Sequence, residues 1–194
     1  MLTLINPPGL KTFSGLNMHT PNPPLGLAYV AGEVRKSGFD LSVIDADLIE
    51  NRKFTVVIDA VNGAASLAIP AMLEALGCTV YRLYCDPDGN FPRGAEPLPC
   101  NLHKLGKTVV EKKADVGFAT DPDGDRLAVV DENGQPLGEE YTLTICADGF
   151  LSSTSSTLPL VTNLSTTMAL DRVAKKHGSF VIRSTVGEIN VVNQ

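Results

Sequence analysis

The sequence is poor in the residues that build thiol and imidazole sites. Its 194 residues include no tryptophan and only three histidines, which are far apart along the chain, so we expect these histidines to have surface or capping roles. None of the cysteines shows the C-x-x-C spacing of a zinc site or a redox pair; they are Cys78, Cys85, Cys100 and Cys146. We therefore predict free and mostly buried thiols.

An excess of positive charge and a long apolar run are also missing. The net charge is −6, the pI is about 5.0, and the basic residues are scattered singly, which argues against a nucleic-acid partner. No apolar run reaches membrane-spanning length, and the chain does not start with a basic segment followed by an apolar one. We expect a cytoplasmic protein without a membrane partner, whose ligands are small molecules or metal ions; nothing in the sequence sets an oligomeric state.

Apolar runs of strand length alternate with amphipathic helical patterns along the chain. Residues 2–5, a helix from Leu25 that ends at Gly38, and residues 41–46 form a predicted βαβ unit. Further strands are predicted at 54–59, 79–84, 116–120, 127–130, 159–164 and 180–184, and further helices at 69–76, 101–114, 139–151 and 166–177. An Asn133-Gly134 pair after residues 127–130 predicts a hairpin. This order predicts an α/β fold of three-layer sandwiches with mixed, mostly parallel sheets, in the Rossmann-like class.

Two changes in composition divide the chain into three predicted units. A short polar joint occupies residues 51–53, and a run of hydroxyl side chains occupies residues 152–157. We predict a βαβ unit at 1–50, a metal-binding unit at 51–151, and a linker followed by an incomplete third unit at 152–194.

One short stretch places three carboxylates on alternate positions directly after an apolar run. It reads Asp121-Pro122-Asp123-Gly124-Asp125-Arg126. Like charges this close repel one another, so a folded protein rarely keeps them without a cation. Gly124 permits a positive φ angle, which lets the backbone curl and the three carboxylates converge. Hard oxygen ligands at the end of a strand in an α/β sheet predict an open Mg²⁺ site made by Asp121, Asp123 and Asp125.

Two other interpretations of this stretch stay open at the level of sequence. The aspartates and Glu132 match the first, third, fifth and twelfth positions of an EF-hand calcium loop. Arg126, however, stands at the sixth position, where the sharp turn requires glycine, and the flanking patterns are strands rather than helices. The second alternative is a metal-free surface turn in which Arg126 serves as the counter-ion.

A series of short motifs surrounds this loop: Val57 to Gly63, Asp86 to Pro92, Glu96 to Pro99, Ala114 to Gly117, Gly138 to Tyr141 and Thr185 to Gly187. Together with Asp121 to Arg126, they resemble the α-D-phosphohexomutases, the phosphoglucomutase and phosphomannomutase family, over its second domain and the start of its third. Members of this family move a phosphoryl group between two hydroxyls of a hexose through a phosphoserine.

The resemblance implies roles for particular residues. The residues that match Asp121, Asp123 and Asp125 bind Mg²⁺ in the family. The arginine that matches Arg126 lies beside the phosphoserine, so the resemblance implies that Arg126 is a phosphate- or sugar-binding residue. Thr185 and Gly187 match a turn that helps to contact the sugar phosphate, although a plain turn after a strand explains them equally well. The implied partner is a hexose phosphate, with Mg²⁺ as the cofactor.

The family's other functional motifs do not occur in this sequence. The nucleophile loop T-S-S-H-N or T-A-S-H-N is absent, because Thr154-Ser155-Ser156 is followed by Thr157 rather than histidine. The sugar loop G-E-G-N-G-G and the phosphate site R-x-S-G-T-E-P are absent too. We therefore assign no catalytic residue, and we expect the chain to be incomplete and inactive alone, since phosphoryl transfer depends on positioning.

The first 50 residues suggest a second resemblance. Asn6-Pro7-Pro8, the segment from Pro23 to Tyr29, and Ile44-Asp45-Ala46 resemble the start of the cobalamin-binding domain of radical-SAM proteins. No D-x-H-x-x-G cobalt-ligating motif accompanies them. The sequence therefore predicts a chain of composite origin, and the alternative functions are a cobalamin- or nucleotide-binding module at 1–50 or a chimeric α/β chain with no activity.

Overall fold

A computed structural model describes residues 2–6, 41–45, 52–138, 140–153, 157 and 159–194. The first two strands, β1 (Leu2–Asn6) and β2 (Leu41–Asp45), pair in parallel with Leu2 opposite Leu41. A parallel pair is what the predicted βαβ opening requires. The helix predicted between Leu25 and Gly38 lies outside the described residues.

The main sheet has four strands in the order β4-β3-β5-β6. They are β3 (Thr55–Asp59), β4 (Thr79–Leu83), β5 (Val116–Thr120) and β6 (Leu127–Val130). Strand β3 runs parallel to both β4 and β5, and β6 runs antiparallel to β5. The predicted mixed, mostly parallel α/β sheet is confirmed.

Helices cover both faces of this sheet. Helix α1 (Ala68–Ala75) contributes Leu73 to one core, which also holds Val56 and Ile58 of β3. Helix α2 (His103–Lys112) packs on the other face, where Val57 meets Leu105 among other buried residues. The side chains of β3 alternate between the two cores because successive residues of a strand point to opposite faces. The unit is therefore a three-layer sandwich.

Strands β4 and β5 are added to the sheet on opposite sides of β3, so the order of strand addition reverses between β3 and β5. The chain leaves β3, crosses over α1 to β4 on one side, and then returns over α2 to β5 on the other side. The carboxyl ends of two parallel strands with such a reversal between them form a crevice where α/β sheets bind ligands. Asp59 and Asp121 stand at these two strand ends.

The predicted hairpin after β6 is confirmed as a turn. The N–H of Gly134 donates to the carbonyl of Asp131 at 2.9 Å, and Gly134 has a φ of +78°. The second arm of this hairpin is reduced to a single bridge between Val130 and Pro136. Two hydrogen bonds flank the bridge, from the N–H of Asp131 to the carbonyl of Gln135 at 3.0 Å and from the N–H of Leu137 to the carbonyl of Val129 at 2.9 Å. Pro136 therefore stands at the position of this antiparallel pair that needs no N–H.

The remaining chain contains a second parallel pair of strands with helices on it. These elements are α3 (Glu140–Ser153), β7 (Leu160–Asn163), α4 (Ala169–Lys176), β8 (Val181–Ser184) and α5 (Glu188–Val192). Asp148 of α3 bonds to Lys176 at 3.0 Å and to His177 at 2.6 Å, so α3 is tied to the end of α4. Helix α3 extends into the predicted linker, and α5 was not predicted.

All four cysteines are free, as predicted, but the prediction that most are buried is wrong. Cys78 and Cys85 are half-buried, whereas Cys100 and Cys146 are exposed. Cys100 lies in a short 3₁₀ turn at Pro99–Asn101, and Cys146 lies on the outer side of α3. In the part of the chain that the structure describes, no helix is both long enough and apolar enough to cross a bilayer.

Two helical glycines provide a matched test of the packing. Replacement of Gly106 in α2 with alanine would place its Cβ 2.3 Å from the Gly134 carbonyl oxygen, so we expect a loss of about 1–3 kcal/mol of stability. Gly149 in α3 has no heavy atom within 4 Å of the same position. There, Gly149→Ala should instead stabilise the helix by about 0.5–1 kcal/mol. Urea unfolding of both variants measures the difference, and equal effects would contradict this packing.

Candidate metal centre

The loops that follow β3 and β5 are in direct contact. The N–H of Ala64 donates to the carbonyl of Pro122 at 2.8 Å. A Cβ on Gly63 would lie 2.4 Å from that same carbonyl oxygen, so only glycine permits this approach. The stretch from Asp121 to Arg126 is thus fixed against the turn at the end of β3, within the crevice of the sheet.

A third loop is attached to the same turn through Asn62. Its side-chain amide donates to Asp88 at 3.1 Å, and its side-chain oxygen accepts from the N–H of Asp86 at 3.1 Å. Asn62 adopts a left-handed backbone with a φ of +57°, which asparagine tolerates better than most residues. Three loops therefore share one anchored junction.

Asp121 is the buried centre of the aspartate loop, with 3% of its surface exposed. Its Oδ1 accepts from the N–H groups of Gly124 and Arg126, both at 3.1 Å, and its Oδ2 accepts from the Nε of Arg126 at 3.0 Å. Gly124 makes the turn with a φ of +81°. The backbone curls around the Asp121 carboxylate, as the sequence predicted from Gly124.

The three aspartates converge. Asp121, Asp123 and Asp125 each offer a carboxylate oxygen, and these oxygens lie within 4.8 Å of one another. Asp123 and Asp125 are exposed, so the cluster is open to solvent on one side. Hard oxygen ligands with open positions suit a divalent cation that keeps part of its water, as Mg²⁺ does. Within the described ranges, no other group of three acidic, histidine or cysteine side chains converges in this way.

The charges of the cluster are not balanced by the protein. Burial opposes ionisation of Asp121, but hydrogen bonds from Arg126, followed by those with Asp125 and Asp123, outweigh it and lower the pKa of Asp121 to about 2. A hydrogen bond with Asp121 and the negative charges of Asp123 and Asp121 raise the pKa of Asp125. One guanidinium therefore leaves surplus negative charge among three carboxylates, and a bound cation would relieve it.

The EF-hand interpretation does not fit this geometry. The aspartate loop is flanked by the strands β5 and β6 rather than by helices. Glu132, the residue at the twelfth position, follows β6, whose four residues span about 13 Å. It lies in the hairpin turn at the far end of that strand, so it does not join the cluster.

Two side chains to which the sequence assigned no role of their own, Arg93 and Glu96, support the site. Arg93 donates through Nε to Asp59 at 2.9 Å, and both side chains are at most 4% exposed. The same guanidinium donates to the carbonyl of Thr120, the last residue of β5. Glu96 accepts a charge-assisted bond from Arg126. One indication of this pair was present in the sequence: Asp59 ends an apolar strand, and a buried carboxylate needs a positively charged side chain nearby.

The two predicted sugar-phosphate residues lie in the last part of the chain. Thr185 is exposed and follows β8, and Gly187 has a φ of +123° immediately before α5. Both are at the carboxyl end of a parallel strand, where ligands of such sheets bind. Their contact with a sugar phosphate stays a prediction.

Comparison with known proteins identifies relatives over most of the chain. The family model "Phosphoglucomutase/phosphomannomutase, alpha/beta/alpha domain II" matches residues 40–134, and that for domain III matches residues 138–194. A phosphoglucomutase/phosphomannomutase of Thermococcus kodakarensis is 40% identical over 76% of this chain and 32% of its own length. A probable phosphoglucosamine mutase of Methanosphaera stadtmanae is 35% identical over 86% of this chain and 36% of its own length.

Comparison of the fold with solved structures agrees with these sequence relatives. A phosphoglucomutase/phosphomannomutase family protein of Burkholderia thailandensis superposes with a TM-score of 0.59 at 26% identity, over 88% of this chain and 41% of that one. The chain thus spans about a third of the length of the curated relatives that it matches.

The resemblance of residues 1–50 to a cobalamin-binding domain is not supported. The domain II match begins at residue 40 and so includes β2, whose Ile44-Asp45 formed part of that resemblance. The Methanosphaera relative aligns over 168 residues, which is more than the stretch from 51 to 194 contains, so its similarity extends into the first 50 residues. The division of the chain at 51 and 152 stays a prediction.

The buried ion pair gives a stability test. Arg93→Met leaves the Asp59 carboxylate buried without its cation, and we expect a loss of about 3–5 kcal/mol. The control is Arg82→Met, which breaks the ion pair between Arg82 and Glu74. Both of these side chains are nearly half exposed, so the substitution should lower the free energy of unfolding by less than about 1 kcal/mol. Urea unfolding compares the two variants; similar small losses would show that Arg93 does not hold the strand ends together.

Proposed function

The chain belongs to the phosphoglucomutase/phosphomannomutase family, and we propose that residues 121–126 are its Mg²⁺ site for phosphoryl transfer on hexose phosphates. The observation that carries this proposal is the convergence of three carboxylate oxygens within 4.8 Å at the switch point of the sheet. The names of the relatives, which include phosphoglucomutase/phosphomannomutase and phosphoglucosamine mutase, support a phosphorylated hexose as the substrate class.

The ligands of the ion in this proposal are Asp121, Asp123 and Asp125. A bound Mg²⁺ supplies positive charge where negative charge develops on the transferred phosphoryl oxygens. Arg126 keeps a permanently charged guanidinium next to the cluster, because the hydrogen bonds that it donates to the Glu96 and Asp121 carboxylates raise its pKa above the ordinary value. The chain's own residues therefore place one fixed cation beside one cation site, an arrangement that suits a phosphoryl group.

The reacting groups of the transfer are not all found in this sequence. The proposal assigns Thr185 and Gly187 to contact with the sugar phosphate, and it assigns no nucleophile, because the sequence contains no T-S-S-H-N or T-A-S-H-N loop. We infer that the chain binds the metal and does not turn over substrate by itself. Positioning of the nucleophile against the phosphoryl group is the part of catalysis that is then missing.

Calorimetry with MgCl₂ tests the metal site. We expect Asp123→Ala to weaken Mg²⁺ binding by at least about 100-fold. Loss of a residue that only supports a metal ligand already lowers metal affinity by about 10–100-fold, and Asp123 is proposed as a ligand itself. Glu132→Ala is the matched control and should leave the affinity unchanged, because this residue lies beyond β6. No binding by the parent chain at millimolar Mg²⁺ would favour a metal-free surface turn, and an equal loss in Glu132→Ala would favour a calcium-type loop.

An activity assay tests the inference about turnover. The purified chain is mixed with a hexose 1-phosphate, a bisphosphorylated hexose and MgCl₂, and formation of the 6-phosphate is followed. We expect none, because positioning accounts for most of the barrier reduction in phosphoryl transfer. Turnover by the chain alone would contradict the assignment and would require a nucleophile that the sequence motifs do not identify.

A further inference from the structure

Arg126 is held between carboxylates that belong to two different loops. Its Nε donates to Asp121 in its own loop at 3.0 Å, and one terminal nitrogen donates to Glu96 in the loop after β4. The Nε lies 3.9 Å from the nearest Asp125 oxygen, which is too far for a hydrogen bond. The guanidinium thus donates hydrogen bonds to Asp121 and Glu96, and it also lies within ion-pair distance of Asp125.

A guanidinium in this position is a potential competitor of the metal. It carries five donors and stays charged, and carboxylates are its preferred partners. Asp123 and Asp125 are exposed and close enough to share a ligand with Asp121. Loss of the Glu96 contact would leave the guanidinium freer to shift further toward these aspartates and to occupy oxygens that a cation would use.

The backbone of the loop that carries Glu96 is itself held by hydrogen bonds from Asn101 and Arg93. The carbonyl oxygen of Glu96 accepts from Asn101 at 2.8 Å and from Arg93 at 3.3 Å. Arg93 is anchored on the buried Asp59 carboxylate and on the end of β5. The backbone of Glu96 is therefore attached to the same strand ends that carry the aspartate loop, and its half-exposed carboxylate reaches Arg126 from this fixed backbone.

We propose that Glu96 is a positioning residue of the metal site, which holds the Arg126 guanidinium against Asp121 and limits its contact with Asp123 and Asp125. The proposal rests on the proposed function, in which the aspartates bind Mg²⁺. Glu96 does not act as a ligand of the ion. It acts through Arg126, and this distinguishes it from an acidic residue that merely adds negative charge to the neighbourhood.

A double-mutant cycle separates these two roles. In the parent chain, Glu96→Gln should weaken Mg²⁺ binding by about tenfold, the scale of an indirect contact to a metal site. In an Arg126→Met background, the same substitution should change the affinity by less than about twofold, because the group through which it acts is gone. Glu74→Gln, which removes an equally exposed partner of Arg82, is the control for net charge and should have no effect.

A second measurement does not require metal. Solvent exchange of the Arg126 Nε–H, followed by ¹H–¹⁵N NMR without Mg²⁺, reports how firmly the guanidinium is held against Asp121. We expect Glu96→Gln to accelerate this exchange by about tenfold, the factor that 1.4 kcal/mol represents and close to the worth of one charge-assisted bond, and Glu74→Gln to leave it unchanged.

The two measurements distinguish failure of this inference from failure of the proposed function. Absence of Mg²⁺ binding in the parent chain would remove the metal-site proposal, and the exchange rate would still decide the role of Glu96. Unchanged exchange in Glu96→Gln overturns the positioning role. With Mg²⁺ binding intact, an unchanged affinity in Glu96→Gln, or an equal loss in both backgrounds, overturns it as well.

Discussion

Mutual repulsion of three carboxylates is the constraint on which the described site depends. Asp121, Asp123 and Asp125 place oxygens within 4.8 Å of one another, which a protein in water tolerates only with compensating charge or hydrogen bonds. Asp121 receives its compensation from within the protein, through backbone N–H groups and Arg126. The other two remain exposed. The fold thus fixes one carboxylate and leaves two available, which suits a site that binds a cation reversibly.

The sheet supplies the rigidity that holds this arrangement. The turn after β3 and the loop after β5 approach so closely that Gly63 has no room for a side chain next to Pro122. Below them, the buried pair of Asp59 and Arg93 joins the two strand ends. A buried pair of this kind adds little net stability, but it specifies which groups must lie together. Here it sets the relative position of the loops that carry the charges.

Local patterns predicted the fold and the convergence of the three aspartates, while contacts between distant residues escaped prediction. Alternate aspartates, a glycine and a preceding apolar run are close in sequence, so they indicated a curled loop at a strand end. The Asp59–Arg93 bond joins residues 34 positions apart, and neither residue stands in a pattern that identifies its partner. Helix α5 has five residues, too few for a periodic signal. The proposed role of Glu96 likewise became visible only when the loops were placed together.

The most direct measurement is a crystal structure of the chain grown with Mn²⁺ in place of Mg²⁺, with anomalous scattering used to locate the ion. Both are hard divalent cations that prefer oxygen ligands. The account predicts one anomalous peak within coordination distance of oxygens from Asp121, Asp123 and Asp125, with Arg126 still bonded to Glu96. A peak at another place, or no peak at these aspartates, would contradict it.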